Sequence, residues 1–262
     1  MSSWGGRVKF SPTPATYVQA GAFAADSTTF DERTRLFDLG TEHVHGANYM
    51  AEMGYETHFN TEAKPRYYRL GFSYLDADRN DVLLNSNGQE RWESGGTPRT
   101  HRGETAVYLT GGQVLWRPDL TSRRNIAAFG SIYYNLDDNE AIQYTVKGGV
   151  VQTGTFANRD EDTIGLAVSQ VRFSGKEVDY LSGMRSVGGG HCGVKSHEEI
   201  VELNYGIHVA QGITLMPNIQ YTFNPDSRYT PTSPHDIPNT LVLGLQLNIS
   251  FDKFLGLPHM KY

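Results

Sequence analysis

Strict alternation of large apolar residues with small or polar ones is the feature that most limits how this chain can fold. The segment NTLVLGLQLNISF, residues 239–251, places Leu, Ile or Phe at every second position from Leu241 to Phe251. The positions between them carry Val, Gly, Gln, Asn and Ser. Because successive side chains of a β-strand point to opposite faces of a sheet, this segment predicts a strand with one apolar and one polar face.

About eleven segments of this kind run along the 262 residues, and no stretch between them has the periodicity of a helix. The 28 glycines and 15 tyrosines fit strands that are separated by turns better than they fit helices. The sequence therefore predicts an all-β fold without helices. Its strands are expected near residues 4–10, 15–24, 47–60, 66–76, 105–117, 126–136, 142–155, 162–173, 199–210, 212–224 and 239–251.

The connections between these strands alternate in length along the chain. The short ones read SPTP, TEAKP, DLTSRRN, NRDED and AQG. The interleaving connections are long, apart from the third, and cover residues 25–46, 77–104, 137–141, 174–198 and 225–238. Outer-membrane barrels have short turns on the periplasmic side and longer loops outside. The pattern therefore predicts a transmembrane antiparallel β-barrel.

The net charge and the first residues narrow the class further. A net charge of −6 is not that of a general nucleic-acid binder, so no nucleic-acid partner is expected. The opening residues MSSWGGRVKF lack the pattern of a signal peptide. If the last strand ends in the periplasm, about eleven strands place the first one outside, whereas a complete barrel has an even number. We therefore expect upstream strands and a signal peptide that this chain lacks.

Two segments near the end closely resemble the C-terminal end of the carbohydrate-selective porin family (OprB type): VELNYGIHVAQGITLMPNIQYTFNP and NTLVLGLQLNISF. Two earlier segments, WGGRVKFSPTPATYVQAGAF and DTIGLAVSQVRFSG, look like other strands of that family. The resemblance implies an outer-membrane barrel of sixteen strands that passes small sugars, such as monosaccharides, by passive diffusion. It implies no catalysis and no cofactor.

The same resemblance divides the chain and suggests its partners. Residues 1–251 would belong to the barrel and residues 252–262 would form a C-terminal tail. Phe251 resembles the terminal aromatic residue that the barrel-insertion machinery recognises, although DKFLGLPHMKY follows it here. Outer-membrane lipid and two further copies of the chain, in a homotrimer, are the other partners to test.

Polar residues of the strands are the candidates for a sugar pathway, because carboxylates, amides and guanidinium groups suit paired sugar hydroxyls. Phe129 and Tyr133 are candidates for inward aromatic rings, which cover the C–H faces of sugars. The alternative is that the polar residues are ordinary wall residues joined by salt bridges. The predicted lumen-facing residues are Arg7, Lys9, Glu52, Glu56, Arg69, Lys147, Glu202, Asn218, Gln220, Gln246 and Asn248.

Other motifs are weaker. His191, Cys192 and His197 have a metal-like spacing but no second cluster, so no metal site is predicted. DADRND at residues 76–81 starts like a calcium loop but lacks its Gly and Glu, and is expected to be a solvated loop. Two other classes remain open: an outer-membrane enzyme or adhesin on a similar barrel, and a soluble β-sandwich lectin.

Overall fold

The computed structural model describes residues 4–26 and 44–254, which form eleven strands and three helices. The strands are β1 (Gly5–Thr13), β2 (Thr16–Asp26), β3 (Val44–Glu56), β4 (Arg66–Asn85), β5 (Pro98–Trp116), β6 (Asn125–Asn135), β7 (Ile142–Thr153), β8 (Thr163–Phe173), β9 (His197–Ala210), β10 (Ile213–Phe223) and β11 (Thr240–Ile249). The helices are α1 (Arg91–Ser94), α2 (Gly175–Val187) and α3 (Phe251–Phe254).

All eleven strands belong to one antiparallel sheet whose order follows the chain from β1 to β11. Each strand from β2 to β10 pairs with the strands before and after it, while β1 pairs with β2 and β11 with β10, so the sheet is a series of hairpins. The predicted strand number is confirmed. The described residues contain no second sheet packed on the first, so the β-sandwich alternative is wrong for them.

One face of the sheet is apolar and uncovered. Its register places Leu203 of β9, Ile219 of β10 and Leu243 of β11 side by side. Leu243 is 74% exposed and Val8 of β1 is 76% exposed. A contiguous exposed apolar surface of this kind marks an interaction with lipid or protein. The few buried apolar side chains, such as Leu83 and Leu181, lie in or near the connections.

The connections at the two ends of the strands differ, as predicted. We call one end the short-turn end; its connections cover residues 14–15, 57–65, 117–124, 154–162 and 211–212. The other is the long-loop end, whose connections within the described residues cover 86–97, 136–141, 174–196 and 224–239. The prediction of a loop over residues 77–104 is wrong, because β4 and β5 continue as a hairpin beyond their other neighbours. DADRND is therefore strand, and its Asp76 accepts a hydrogen bond from Arg102 at 2.6 Å.

Helix α2 corrects the prediction of a chain without helices. Ser174 precedes it, and its hydroxyl accepts a hydrogen bond from the backbone N–H of Glu177 at 3.1 Å. This is the first half of a capping box, in which Ser is followed three residues later by Glu. The glycines from Gly188 onwards end the helix. The connection 174–196 is therefore an ordered helical element rather than an irregular loop.

The buried carboxyl group of Glu177 makes the stability of α2 depend on pH. Burial raises the pKa of Glu177, and the Arg228 guanidinium 3.1 Å away opposes this shift only in part. The folded state thus binds the proton more tightly than the unfolded state. The added stability is full below the ordinary Glu pKa of about 4.3 and is lost as pH rises through the raised value.

We therefore expect amide hydrogens of α2 to be better protected from exchange at pH 4 than at pH 7, after correction for intrinsic rates. Glu177→Gln should remove most of this difference. Glu93→Gln, at an exposed position of α1, is the matched control and should leave the difference intact. Equal protection of α2 at both pH values would contradict this prediction.

The remaining features are the lengths of the helices, the end of the last strand and the predicted segments outside the described residues. None of the helices in the described residues is long and apolar enough to cross a membrane. Phe251, predicted as the end of the last strand, begins α3, because β11 ends at Ile249. The predicted connection 25–46 and the tail 252–262 lie largely outside the described residues, which end at residue 254.

Candidate functional site

The second face of the sheet, which we call the polar face, carries every residue predicted to line a sugar pathway. Its position follows from the pairing of Lys9 with Gln19, Gln19 with Glu52, and Glu52 with Gly71. The alternation of side chains along each strand then fixes the other members. Those members are Arg7, Glu56, Arg69, Lys147, Glu202, Asn218, Gln220, Gln246 and Asn248, with Phe129 and Tyr133 as the aromatic candidates.

Glu52 of β3 is the centre of the most connected group on this face. Its Oε1 accepts hydrogen bonds from the Tyr17 hydroxyl at 2.7 Å and from Gln19 Nε2 at 2.8 Å. Its Oε2 accepts a hydrogen bond from the Tyr108 hydroxyl at 2.6 Å. Hydrogen bonds to a charged acceptor are stronger than neutral ones. The carboxylate therefore fixes side chains from β2 and β5 against β3.

Glycines opposite the two tyrosines make this arrangement possible. Tyr17 pairs with Gly54 and Tyr108 pairs with Gly71 across neighbouring strands. A Cβ at Gly54 would lie 2.4 Å from the Tyr17 ring, and a Cβ at Gly71 would lie 2.1 Å from the Tyr108 ring. The rings occupy the space that side chains at these positions would need.

The same pairing recurs elsewhere on the polar face, and two further examples lie on β4–β5 and β6–β7. Tyr67 lies opposite Gly112, and Phe129 lies opposite Gly149. In both cases a Cβ on the glycine would be 2.7 Å from the ring. Aromatic residues compensate in this way for the packing that a strand glycine lacks. We call these four the ring–glycine pairs; in each of them an aromatic ring covers the neighbouring strand instead of standing away from the sheet.

Cations lie next to this aromatic part of the polar face. The Nζ of Lys9 is 4.0 Å from the centre of the Tyr17 ring. The Arg69 guanidinium is 5.0 Å from the centre of the Tyr67 ring and donates to Glu56 Oε2 at 3.1 Å. Positive charges above aromatic faces are held by cation–π attraction. Lys9 and Arg69 therefore present fixed positive charge beside the Glu52 group.

A second polar group lies on the last strands. Glu202 Oε1 accepts from Asn204 Nδ2 and Glu202 Oε2 accepts from Gln220 Nε2, each at 2.7 Å. On β11, Gln246 Nε2 donates to Asn248 Oδ1 at 2.9 Å. The polar face thus carries donor and acceptor groups near both ends of the sheet.

Three other predicted residues lie on the polar face outside the hydrogen-bonded groups of Glu52 and Glu202, and only the strand register places them there. They are Arg7, Lys147 and Asn218. Arg7 lies opposite Gly21, and Lys147 lies between Ser131 and Ser169. Small neighbours leave these long cationic side chains room to extend away from the sheet. Asn218 lies opposite Gly244, where a Cβ would be 2.6 Å from the Asn218 amide oxygen.

Residues that the sequence reasoning missed hold the Glu52 group together. Tyr17, Gln19 and Tyr108 donate to Glu52 but were not among the predicted lining residues. Their alternation with Val18 in ATYVQAG and with Val107 in AVYLTGG places them on the polar face. Applying the parity rule to β2 and β5 would have identified them.

An ionic cluster at the long-loop end was also not predicted from the sequence. Arg79, in the extended part of β4, donates to Glu140 Oε1 and Oε2 at 3.2 and 3.0 Å. Its guanidinium is also 3.4 Å from Glu104, which accepts from Asn135 Nδ2 at 2.9 Å. Arg79 and Glu104 belong to the β4–β5 hairpin, whereas Asn135 and Glu140 belong to the β6–β7 hairpin. Sequence spacing carries no signal for this cluster, because the β4–β5 extension brings its members together.

The chemistry of the polar face is that of reversible hydrogen bonding. Carboxylates, amides, hydroxyls and cations alternate there with aromatic rings, so a molecule with many hydroxyls finds both donors and acceptors. Residues 4–26 and 44–254 contain no group of three His, Cys, Asp or Glu side chains that could hold a metal ion. His197 instead lies 3.4 Å from the Asn224 amide.

Comparison with known proteins agrees with this fold. A model of the carbohydrate-selective porin, OprB family, matches residues 1–251. Porin B of Pseudomonas aeruginosa is 24% identical over 258 residues, which cover 96% of this chain and 55% of Porin B. The high-pH structure of Pseudomonas putida OprB has a TM-score of 0.78 at 25% identity, over 95% of this chain and 59% of that chain.

The low-pH structure of the same P. putida protein has a TM-score of 0.54 at 22% identity, over 95% of this chain and 55% of that chain. The chain spans about half the length of the curated relatives it matches. The predicted fold class, an antiparallel β-barrel of the porin kind, is confirmed by these similarities and by the eleven-stranded sheet.

Proposed function

Because the chain belongs to the carbohydrate-selective porin family of the OprB type, we propose that it forms wall of an outer-membrane channel through which small sugars diffuse passively. The polar face would line the lumen and the long-loop end would face outside the cell. Membership of this family indicates a channel rather than an enzyme. The observation that carries the proposal is the Glu52 group, in which one carboxylate accepts three hydrogen bonds beside cations and aromatic rings.

A sugar passing this group would exchange part of its hydration shell for the polar face. Carboxylate and amide oxygens accept from sugar hydroxyls, Lys9 and Arg69 donate to sugar oxygens, and the Tyr17 and Tyr108 rings cover apolar C–H faces. Each contact is weak enough to break, because passage requires release as well as binding. No covalent step is needed.

The apolar face supports a second part of the proposal, contact with outer-membrane lipid. Trp116 ends β5 and is 49% exposed, and Phe223 ends β10 and is 39% exposed. Aromatic residues at strand ends are typical of the two membrane interfaces. From the family resemblance alone we propose two further partners. They are the barrel-insertion machinery and two other copies of the chain, in a homotrimer.

Removal of Glu52 or Arg69 should weaken discrimination between sugars. For the protein reconstituted in liposomes, we expect Glu52→Ala and Arg69→Ala each to lower the monosaccharide-to-disaccharide flux ratio by about threefold. The physical reason is that Glu52 holds two tyrosine hydroxyls, and Arg69 holds charge above Tyr67. Liposome swelling in sugars of increasing size measures this ratio.

Glu93 is an exposed glutamate of α1, away from the polar face. Glu93→Ala is therefore the control for the loss of a carboxylate and should leave the flux ratio unchanged. An unchanged ratio in both Glu52→Ala and Arg69→Ala would remove these two residues from the pathway. Liposomes that admit no sugar at all would contradict the proposed function itself.

A further inference from the structure

A cavity of about 300 Å³ lies at the long-loop end, away from the Glu52 group. We call it the loop cavity. Helix α2 forms one side, and the connection 224–239 between β10 and β11 forms the other. Its volume is at the lower limit of small-molecule sites, which begin at about 300 Å³. The cavity can therefore hold a small ligand but not an oligomer.

Arg185 of α2 is the most buried charged residue at this cavity, with 2% of its surface exposed. Its Nη1 donates to Asp236 Oδ1 at 2.6 Å and to the backbone oxygen of Gly193 at 3.1 Å. Its Nε has no hydrogen-bond partner among the described residues. The two hydrogen bonds of Nη1 hold the guanidinium in place, so Arg185 contributes a fixed positive charge to this side of the cavity.

The rest of the lining combines polar groups with an apolar floor. Lys195 and Asp226 add one positive and one negative charge to those of Arg185 and Asp236, so the four charged side chains balance. Phe173, with 4% of its surface exposed, is also part of the lining. Donors, acceptors and an aromatic surface without net charge suit a neutral polyhydroxylated ring better than an ion.

The backbone conformation and hydrogen bond of Asn224 fix this part of the cavity lining. Its backbone has φ of 47°, in the left-handed region that Asn and Gly tolerate. Its N–H donates to Asn239 Oδ1 at 3.0 Å, which joins the two ends of the β10–β11 connection. The Asn224 side chain is thereby held at the cavity, which it lines.

From these observations we propose that the loop cavity is a capture site for one neutral monosaccharide at the channel entrance. The proposal rests on the proposed function, because an outer capture site is useful only if the sugar then passes the polar face. It adds a second sugar site, whose residues are Arg185, Lys195, Asn224, Asp226 and Asp236.

The single cysteine of the chain gives a direct test. Cys192 is exposed and precedes Gly193, whose oxygen accepts from Arg185. With a nitroxide attached to Cys192 in the detergent-solubilised protein, bound D-glucose should show enhanced proton relaxation relative to a diamagnetic label. Lys195→Ala and Asn224→Gly should each weaken this glucose binding by about three- to tenfold, the loss of one or two hydrogen bonds. Glycine at position 224 keeps the positive φ.

Asp179→Asn, on the exposed surface of α2, is the control and should leave the relaxation effect unchanged. Sugar flux through the same variants separates the two sites. Flux without any relaxation effect overturns the capture site and leaves the channel standing. An effect with D-gluconate but not with D-glucose overturns the assignment to a neutral sugar. Loss of both flux and relaxation effect overturns the capture site together with the proposed function.

Discussion

Arginine in place of Leu245 is expected to lower the free energy of unfolding in lipid vesicles by about 2–4 kcal/mol. Leu245 lies at the middle of β11 on the apolar face and is 69% exposed. If this face meets the hydrocarbon core, a guanidinium there must be transferred from water into lipid at mid-depth, where that transfer costs most. Urea titration of the protein in vesicles measures the difference.

The neighbouring Gln246 provides the matched control. It lies on the polar face, and Gln246→Arg loses only the hydrogen bond to Asn248. Its effect should stay within about 0.5 kcal/mol, as for most surface substitutions. Equal effects at the two positions would contradict the assignment of the apolar face to lipid, and a larger effect at Gln246 would reverse it.

Alanine in place of Gly71 is expected to lower monosaccharide flux about fivefold, an increase of about 1 kcal/mol in the barrier to passage. The new Cβ would lie 2.1 Å from the Tyr108 ring, so the ring must leave the strand and its hydroxyl must leave Glu52. The displaced ring would then extend into the proposed lumen. Liposome swelling with a monosaccharide measures this loss.

Two variants show whether the ring causes the loss. Gly6→Ala is the control, because a Cβ there meets nothing within 4 Å and flux should not change. Tyr108→Ala added to Gly71→Ala removes the displaced ring and should restore flux. If flux stays low in the double variant, the loss comes from damage to the sheet, and Tyr108 does not control the passage.

The strands could be predicted because each one carries its own signal. Alternation in segments such as residues 239–251 depends only on which side chains share a face, and the structure retains it. Helix α2 could not be predicted by the same rule, since it lacks a long apolar stripe. The Ser174 to Glu177 capping box was a local signal for its start, and the glycines after Val187 were a signal for its end.

The length of the β4–β5 hairpin was not predicted, for a different reason. Residues 77–85 are rich in Asp and Asn, which favour turns, yet they continue β4. Their strand conformation depends on contacts beyond the hairpin, such as the pairing of Arg79 with Glu140. A single-sequence pattern contains no information on a partner 61 residues away, so tertiary contacts override the local preference.

For the candidate site, parity predicted which residues share the polar face but not which of them touch. Glu52 and Arg69 were identified as polar strand residues, and both lie on that face. The Tyr17 and Tyr108 hydroxyls that hold Glu52 depend on the register between strands, which alternation within one strand does not specify. Whether these residues line a sugar pathway stays a prediction.

The four ring–glycine pairs have a consequence for how such a channel can change. At Gly54, Gly71, Gly112 and Gly149 a residue with no side chain decides where a neighbouring aromatic ring lies. If the polar face lines the proposed channel, the width of its lumen is specified partly by glycines rather than by the residues that carry the hydrogen-bonding groups. Substitution of these glycines would then change the size of the solutes that the channel admits, while every hydrogen-bonding group on its wall stayed the same. The width of the lumen and its chemistry can therefore evolve separately.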